Sequence, residues 1–331
     1  FIPLLLGLAR QGSVHFVPAV FFAGLFNVLS GLLWDVPMCV QPMKTIAAVG
    51  IAEGLSPPQV AVAGMMVSAM VLALGLTRSI VLVGRLVPEA VVLGTQLGLG
   101  ISLNQKAFAM IAGSPTGASD PAQGPLDSPI ARLVSAMIGV AFALAVRHSG
   151  SKVPSALILF VVGAGVGMYT LLASHAPVGL APVPPAVWAL GSLTPSDLQH
   201  ALLNAALPQL PLTLLNSVVS VCKLADKLAP HARVTKPAVA VSVGLMNLLG
   251  CPFGAMPCCH GAGGLAAQHA FGARRGAAVL FLGGAKVAVA VAAGGPLLAI
   301  LAAFPDSILG VLLLMSGLEL ARAGAQLGGK G

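Results

Sequence analysis

Two stretches of this 331-residue chain carry residue types whose spacing could do chemistry in an apolar environment. The first reads Pro37-Met-Cys-Val-Gln41-Pro42-Met43-Lys44-Thr45, the second Met256-Pro257-Cys258-Cys259-His260-Gly261-Ala262-Gly263-Gly264. In each, an extended, proline-containing stretch leads into a short helix expected to begin at mid-depth in a membrane. Irregular backbone is tolerated there only where it lines a cavity or packs in protein. Pro42 suits a first helical position with Gln41 as its cap. The small residues after His260 let a ligand approach the backbone closely. Two helix N-termini facing one another offer free N–H groups and two positive dipole ends, which suits an anion, and backbone donors match tetrahedral oxygens. Lys44 strengthens that expectation: a charge at mid-depth costs ~2.5–3.5 kcal/mol on insertion scales, so it should be paired or functional.

The candidate binding residues are Gln41, Met43, Lys44, Thr45, Gln209, Cys259, His260, Gly261, Ala262 and Gly263. Each has a plainer reading. Lys44 can snorkel to an interface, Gln41 and Thr45 can cap the local backbone, and Gln209 can hydrogen-bond between helices. Pro208 and Pro211, which free backbone groups around Gln209, favour a place in the cavity lining. Cys258, Cys259 and His260 invite a metal, but neighbouring cysteines rarely both ligate one ion and no second ligand pair has suitable spacing. No metal or cofactor is therefore expected, and His260 remains a candidate for a coupling proton. The matching Asn27 and Asn247 read as structural.

Such sites need elements to hold them, and composition says where those lie. Only 8% of residues are charged and 57% are hydrophobic. A soluble core could not bury that much apolar surface, whereas a bilayer solvates it. The net charge of +8 sits in short connections between apolar runs, which is the positive-inside pattern rather than a nucleic-acid footprint. All five cysteines lie in or beside apolar segments without disulfide-framework spacing, so they read as reduced thiols.

Apolar runs between breakers give about twelve all-α segments at the ~20-residue spanning criterion. They fall at Phe1–Ala9, Phe16–Leu33, Pro37–Glu53, Val60–Leu76, Pro88–Ile111, Ile130–Val146, Val153–Leu172, Leu198–Cys222, Val234–Leu249, Met256–Ala270, Gly276–Ala293 and Pro296–Leu320. A Gly/Pro/Ser/Asp-rich loop, Gly113–Pro129, and a proline-rich connection, Ala176–Pro195, separate some of them. With the first segment entering from the cytoplasm, inside connections hold Arg78, Arg85, Arg147, Lys152, Lys223, Lys227, Arg233, Lys236, Arg274, Arg275 and Arg322. Outside ones hold Arg10 and Arg132 with Glu53, Asp120, Asp127 and Asp197.

The chain also repeats itself. Gly24-Leu-Phe-Asn27 returns as Gly244-Leu-Met-Asn247, and at the same offset Pro37-Met-Cys39 falls on Pro257-Cys-Cys259. Ile2-Pro3-Leu echoes Leu210-Pro211-Leu, and Val87-Pro88-Glu89 echoes Phe304-Pro305-Asp306. The unit is segments one to seven, and an odd unit crosses the membrane in opposite senses in its two copies. The expected division is a first inverted repeat over residues 1–175 and a second over 196–331. The first segment is expected to be cut at its start, with two further segments following Gly331 in the full protein. The two short, interrupted segments occupy the same slot in both repeats, the usual sequence pointer to a transporter binding site.

Three strings give a family resemblance: Val40-Gln-Pro-Met-Lys-Thr-Ile-Ala-Ala48, Pro208-Gln-Leu-Pro-Leu-Thr-Leu-Leu-Asn-Ser217 and Phe253-Gly-Ala-Met-Pro-Cys-Cys-His-Gly-Ala-Gly-Gly-Leu265. They resemble the eukaryotic-type molybdate transporters, a branch of the sulfate permease superfamily without the cytoplasmic regulatory domain. The resemblance covers nearly the whole chain. It implies a seven-plus-seven inverted-repeat transporter with core and gate domains, and an oxyanion held between segments three and ten. The family's Asp-Leu-Gly-Thr stretch would lie just before Phe1, and position 39 is Cys where the pattern has Pro.

The expected function is therefore alternating-access transport of molybdate by a multi-pass membrane protein. Sulfate, of the same charge and shape, is the nearest competitor. A coupling proton, membrane lipid and a second copy of the chain are the other expected partners, and nucleic acid is not one. A nucleobase permease of the same fold would be expected to place carboxylates in the middle of segments eight to ten, and none is there. An anion channel or voltage-responsive motor is a further alternative. HExxH, GxSxG and paired acids at depth are all missing, which argues against an enzyme.

Overall fold

The computed structural model describes residues 2–82, 89–113, 125–126, 128–150, 153–174, 183–191 and 193–325. Arg85, Pro88, Asp120, Asp127 and Lys152 lie outside the described residues, as do most of the loop after Gly113 and the start of the connection after Ala176. The chain is almost entirely helical: α1 (Ile2–Arg10), α2 (Phe16–Trp34), α3 (Lys44–Glu53), α4 (Pro57–Leu76), α5 (Glu89–Ala112), α6 (Pro129–His148), α7 (Ser155–Ala173), α8 (Pro195–Leu228), α9 (Lys236–Gly250), α10 (Ala262–Ala270), α11 (Ala277–Ala302) and α12 (Asp306–Ala325). Two three-residue strands, β1 (Val40–Pro42) and β2 (Cys258–His260), precede α3 and α10. Among the described residues, seven helices are long and apolar enough to cross a membrane unaided.

Prolines and small capping residues start these helices where the sequence places them. Ser56 and Gln59 form a capping box at α4, and Thr194 and Asp197 form one at α8; each helix carries proline in its first turn. The boundary expected between segments eleven and twelve is corrected. Pro296 does not open α12 but sits inside α11, which continues to Ala302 beyond a kink at Ala293. A proline inside a helix removes one backbone bond and bends the axis without ending it when neighbours support both halves. Segment twelve begins instead at Asp306, after the Phe304-Pro305 pair that the repeat marks.

Helices pair across the repeat rather than within it. The most extensive contacts join α2 to α11, α4 to α9 and α5 to α12. Since segments two and four correspond to nine and eleven, the first two pairings are equivalents of each other. In the third, as in β1 with β2, an element meets its own counterpart. Such a pattern is what a two-fold axis between the copies requires. A second grouping overlies the first: α5, α6, α7 and α12 pack on one another, whereas α2, α3, α4, α8, α9, α10 and α11 gather around the strands. The groups meet where α3 and α8 touch α5 and where α7 touches α11, and α1 bridges α3 and α12.

Each cross-repeat pairing is a close approach of backbones over glycine. A Cβ on Gly24 of α2 would lie 2.8 Å from the Gly283 carbonyl oxygen of α11, and one on Gly283 would lie 2.6 Å from that of Gly24. Gly244, the counterpart of Gly24, faces the Ser68 carbonyl of α4 at 3.1 Å from where its Cβ would be. At the α5–α12 crossing, a Cβ on Gly100 would lie 2.6 Å from the Gly317 carbonyl. Small residues let helices associate by van der Waals contact where no hydrophobic drive exists between them.

At the membrane ends, polar contacts tie elements together. Arg10, at the end of α1, bonds Asp306 at 2.7 Å, with both side chains largely buried, and also donates to the Ala302 carbonyl. At the opposite end Asp35 pairs with Arg275 at 3.1 Å and accepts from the Gly276 N–H. Alternation of the segments puts the two members of each pair at the same membrane face.

The crossing makes a sign-specific prediction on one helix. Gly100→Ala forces a methyl group into backbone and should lower stability by ~1–3 kcal/mol. Gly94→Ala, where nothing lies within 4 Å of the added atom, should hold or raise it, since alanine is the better helix former by ~1 kcal/mol. Thermal unfolding of the detergent-solubilised protein checks both; equal effects at the two positions would contradict the glycine contact.

Candidate functional site

The site is built on backbone that is neither helix nor loop. β1 and β2 pair antiparallel with Val40 opposite His260, Gln41 opposite Cys259 and Pro42 opposite Cys258. Val40 and His260 are counterparts under the offset that relates Pro37 to Pro257, so the local two-fold axis passes through that pair, at one end of the ladder. Two strands of three residues cannot satisfy all their buried polar groups by themselves. Polar side chains from the preceding helices supply the rest. Asn27 of α2 accepts from the Val40 N–H at 2.9 Å and donates to the Ala23 carbonyl at 2.6 Å. Asn247 of α9 accepts from the Cys258 N–H at 2.7 Å and donates to the Cys258 and Val243 carbonyls at 2.7 and 2.8 Å. Ser30 donates to the Met38 carbonyl at 3.0 Å, and the Met43 N–H to the Pro257 carbonyl at 2.8 Å.

This pairing corrects the start expected for α3. Pro42 belongs to β1, Met43 is the N-cap and Lys44 the first helical residue, so Gln41 is not the cap. The reason is that Met43 spends its N–H on Pro257 across the ladder, which carries the extended conformation two residues further than local preference suggests. Gly261 is the N-cap of α10. No cap side chain bonds the first turn of either helix, and both helices start beside the same strand pair.

The side chains sort by the alternation of the strands. Gln41 and Cys259, directly opposite each other, share one face, and Gly261 lies on that face two residues beyond Cys259. The Gln41 amide occupies the space a Cβ on Gly261 would need, and the Cys39 sulfur does the same for Gly264. Cys259 accepts from the Ser217 hydroxyl of α8 at 3.0 Å. Gln209, also on α8, accepts from the Thr45 N–H at 2.8 Å and donates to the Thr213 hydroxyl at 2.8 Å. It thus holds one of the amides freed at the start of α3. Helix α8 can present it because π-helical turns at Ala201–Ala206 and Thr213–Ser220 flank the segment bearing Pro208 and Pro211. Such wide turns recur at functional sites.

Lys44 is half-buried and within electrostatic reach of the Cys259 thiol. Thr45 is buried with its hydroxyl unpaired. Ala262 is half-buried, while Gly263 is exposed, with open space where its Cβ would be. Two candidates sit differently. The Met43 side chain is fully buried in the apolar core, so only its backbone belongs to the strand-to-helix junction. His260 lies on the other face of β2, with Nε2 at 3.0 Å from the Ser242 hydroxyl and its ring edge-on to Trp34 at 5.2 Å. Ser242 and Trp34 line an apolar cavity of about 480 Å³ between α2 and α9, so the imidazole faces away from Gln41 and Cys259.

Sequence reasoning passed over Lys286, which lies within α11 where that helix crosses α2, its Cβ 2.9 Å from where a Cβ on Gly24 would be. The signal was available, since the rule that singles out Lys44 applies to any lysine inside an apolar run. Cys39, Thr213 and Ser217 join the site; only tertiary contact could place them there.

Broken helices meeting end to end between two intertwined repeats define a multi-pass membrane transporter of the inverted-repeat class. Solved structures agree on that fold. The transmembrane domain of a cyanobacterium bicarbonate transporter, BicA, superposes with a TM-score of 0.64 at 16% identity, over 97% of this chain and 85% of that one. The murine Solute Carrier 26 family member A9 anion transporter, in its inward-facing state, gives 0.61 at 17%, over 99% and 61%. A family profile described as "Molybdate transporter of MFS superfamily" matches residues 1–103 and 201–320. Molybdate transporter 2 of Arabidopsis thaliana is 36% identical over 366 residues, spanning 100% of this chain and 77% of the relative. Molybdate transporter 1 of Chlamydomonas reinhardtii is 34% identical over 423 residues, spanning 97% and 80%. The chain belongs to the molybdate transporter family. Its fold is the seven-plus-seven arrangement of the bicarbonate and SLC26 proteins, whatever superfamily the profile's wording assigns.

The asparagine clamp is testable apart from any ligand. Asn247→Ala leaves a buried N–H and carbonyl of Cys258 without partners, at ~1–3 kcal/mol per group. The midpoint of thermal unfolding should fall clearly, whereas Asn204→Ala, on an exposed residue with a 3.4 Å contact to Glu53, should leave it nearly unchanged.

Proposed function

We propose that this protein carries molybdate across its membrane by alternating access, with the dianion held between the N-termini of α3 and α10. The observation that carries the reading is the strand pair, which brings two helix starts without side-chain caps to one place beside Lys44. Free N–H groups and two positive dipole ends form a ready anion site. Gln41, Lys44, Thr45, Gln209, Cys259, Gly261, Ala262 and Gly263 would line it. Met43 and His260 would contribute through backbone and packing rather than through direct side-chain contact. The names of the family and its relatives support molybdate as the cargo.

The movement would divide the two helix groups, with α5, α6, α7 and α12 shifting against the strand-centred group. Residues 1–175 and 196–331 read as the two inverted copies, supported by the equivalent α2–α11 and α4–α9 pairings. Gln209 would be the conformational element of the site: when its Oε1 releases the Thr45 N–H, that amide can donate to an oxygen of the anion.

Binding of molybdate to the purified protein, competed with sulfate, tests the reading. Tight molybdate binding, weak competition by sulfate and at least ~10-fold loss in Lys44→Ala are expected, since hydrogen bonds to charged groups contribute ~1.5–3 kcal/mol. Equal competition would turn the assignment to a general oxyanion carrier. Absence of any oxyanion binding would remove the transport reading of the site.

A further inference from the structure

The apolar cavity of about 480 Å³ between α2 and α9 is walled by Phe26, Leu29 and Leu33 from one helix and Leu245, Met246 and Leu249 from the other. Leu33 and Leu249 are 68% and 66% exposed, so the cavity opens on the outer surface of the helices, which in a membrane is lipid. An apolar space of this kind stays dry, and left empty it costs its lining the dispersion contacts that an apolar ligand would restore. The lining runs along α9 from Ala238 to Leu249, ~16 Å at the helical rise. One leaflet of a ~30 Å hydrocarbon core has about that depth, which suits an acyl chain lying along the helices better than a compact ligand. The two serines in the lining are engaged, Ser30 with the Met38 carbonyl and Ser242 with His260, so the walls bind through apolar contact.

Charge gathers where the groove ends at Trp34 and Ala238. Next to Trp34, Asp35 pairs with Arg275 at 3.1 Å, and its carbonyl oxygen accepts from the His231 ring at 3.1 Å. His231 lies in the connection that leads through Arg233 into Lys236, the first residue of α9 and two before Ala238. Arg233 is exposed and Lys236 half-buried, and neither forms an ion pair among the described residues. From Lys223 to Lys236 the chain carries four cations, Lys223, Lys227, Arg233 and Lys236, against Asp226 alone. The positive-inside pattern puts this end at the cytoplasmic face. A basic pocket between spans on that face suits the headgroup of an anionic lipid.

We propose that the α2–α9 groove is a binding site for an anionic phospholipid of the cytoplasmic leaflet, with one acyl chain in the groove and the phosphate on Arg233 and Lys236. A zwitterionic lipid would fit the walls equally well but would gain less from the cations at the mouth. The acyl chain lies against Trp34 and Ser242, both in contact with His260 of β2. The lipid site thus backs onto the strand pair without sharing the lining of the anion site, and the inference stands apart from the identity of the cargo.

Trp34 reports on the groove from its wall, and the chain has one other tryptophan, Trp188. The Trp188→Phe protein would be reconstituted in phosphatidylcholine vesicles with rising fractions of phosphatidylglycerol or phosphatidylcholine brominated on the acyl chains, and quenching of Trp34 followed. Brominated phosphatidylglycerol should show a relative affinity at least ~5-fold above brominated phosphatidylcholine, about the preference that one basic residue near an anionic lipid confers. Replacing Arg233 and Lys236 together (Arg233→Gln, Lys236→Gln) should bring the two lipids within ~2-fold of each other. The same loss of charge at Lys223→Gln, Lys227→Gln should leave the preference standing. Equal quenching by the two lipids before any charge is removed would overturn the proposal. So would an equal fall in both double variants, which would mark diffuse surface charge. Shielding of Trp34 from both lipids would mean that a second copy or another segment covers the groove, and would overturn it too. Should Trp188→Phe fail to fold, the wild-type chain with and without each double substitution decides, because Trp188 sits against Phe253 beyond the far end of α9 and adds the same background to each.

Discussion

A peptide group in hydrocarbon has no water to turn to, so every buried N–H and C=O must find a partner within the protein. Helices meet that demand internally, and a break in a helix at mid-depth creates a debt of unpaired groups. Here two breaks are placed against each other, and each supplies part of what the other lacks. The β1–β2 ladder, the Met43–Pro257 bond and the side chains of Asn27, Ser30 and Asn247 satisfy the strand segments. Of the amides at the starts of α3 and α10, the Thr45 N–H is taken by Gln209 and no cap side chain holds the others. The same physics that forbids irregular backbone in lipid thus produces a localised excess of donors, which is what an anion needs.

The pseudo-two-fold axis is the second consequence. Because equivalent segments carry equivalent breaks, pairing the breaks requires the copies to interlock, and every major helix contact then runs from one copy to the other. Glycines at Gly24, Gly283, Gly244, Gly100 and Gly317 allow the resulting backbone approach. An interlocked pair of repeats cannot separate as two rigid halves, so motion must follow another division. The grouping of α5, α6, α7 and α12 against the strand-centred helices supplies one. Contacts between these groups are sparser than those within them, as relative movement requires.

Symmetry in the scaffold does not extend to the chemistry. Gln209 holds the Thr45 amide in the first turn of α3, whereas Gln41, from the strand itself, overlies the start of α10. Interlocked copies thus give a symmetric cradle with asymmetric ligands, so a tetrahedral anion would meet different donors on its two sides.

The sequence by itself determined the membrane class, the segment count, the order of the repeat and the two broken segments. Each of these rests on composition, periodicity or short-range matching, and these signals survive in one dimension because hydrocarbon imposes them on every span separately. It also singled out Lys44, Gln41 and the Gly261–Gly263 run, which the structure brings beside one strand pair, since local breaks expose helix starts wherever they occur. It misjudged the boundary at Pro296, because a proline ends or merely bends a helix according to its neighbours in space. It read Gln41 as a cap and grouped His260 with the lining, because the Met43–Pro257 bond and the face each strand residue presents are set by a partner more than two hundred residues away. Ser217 met Cys259, and Gln209 took the Thr45 amide, only when α8 packed against the strands. Which side chains converge on two helix starts is a property of packing between distant segments, and only the tertiary structure decided it.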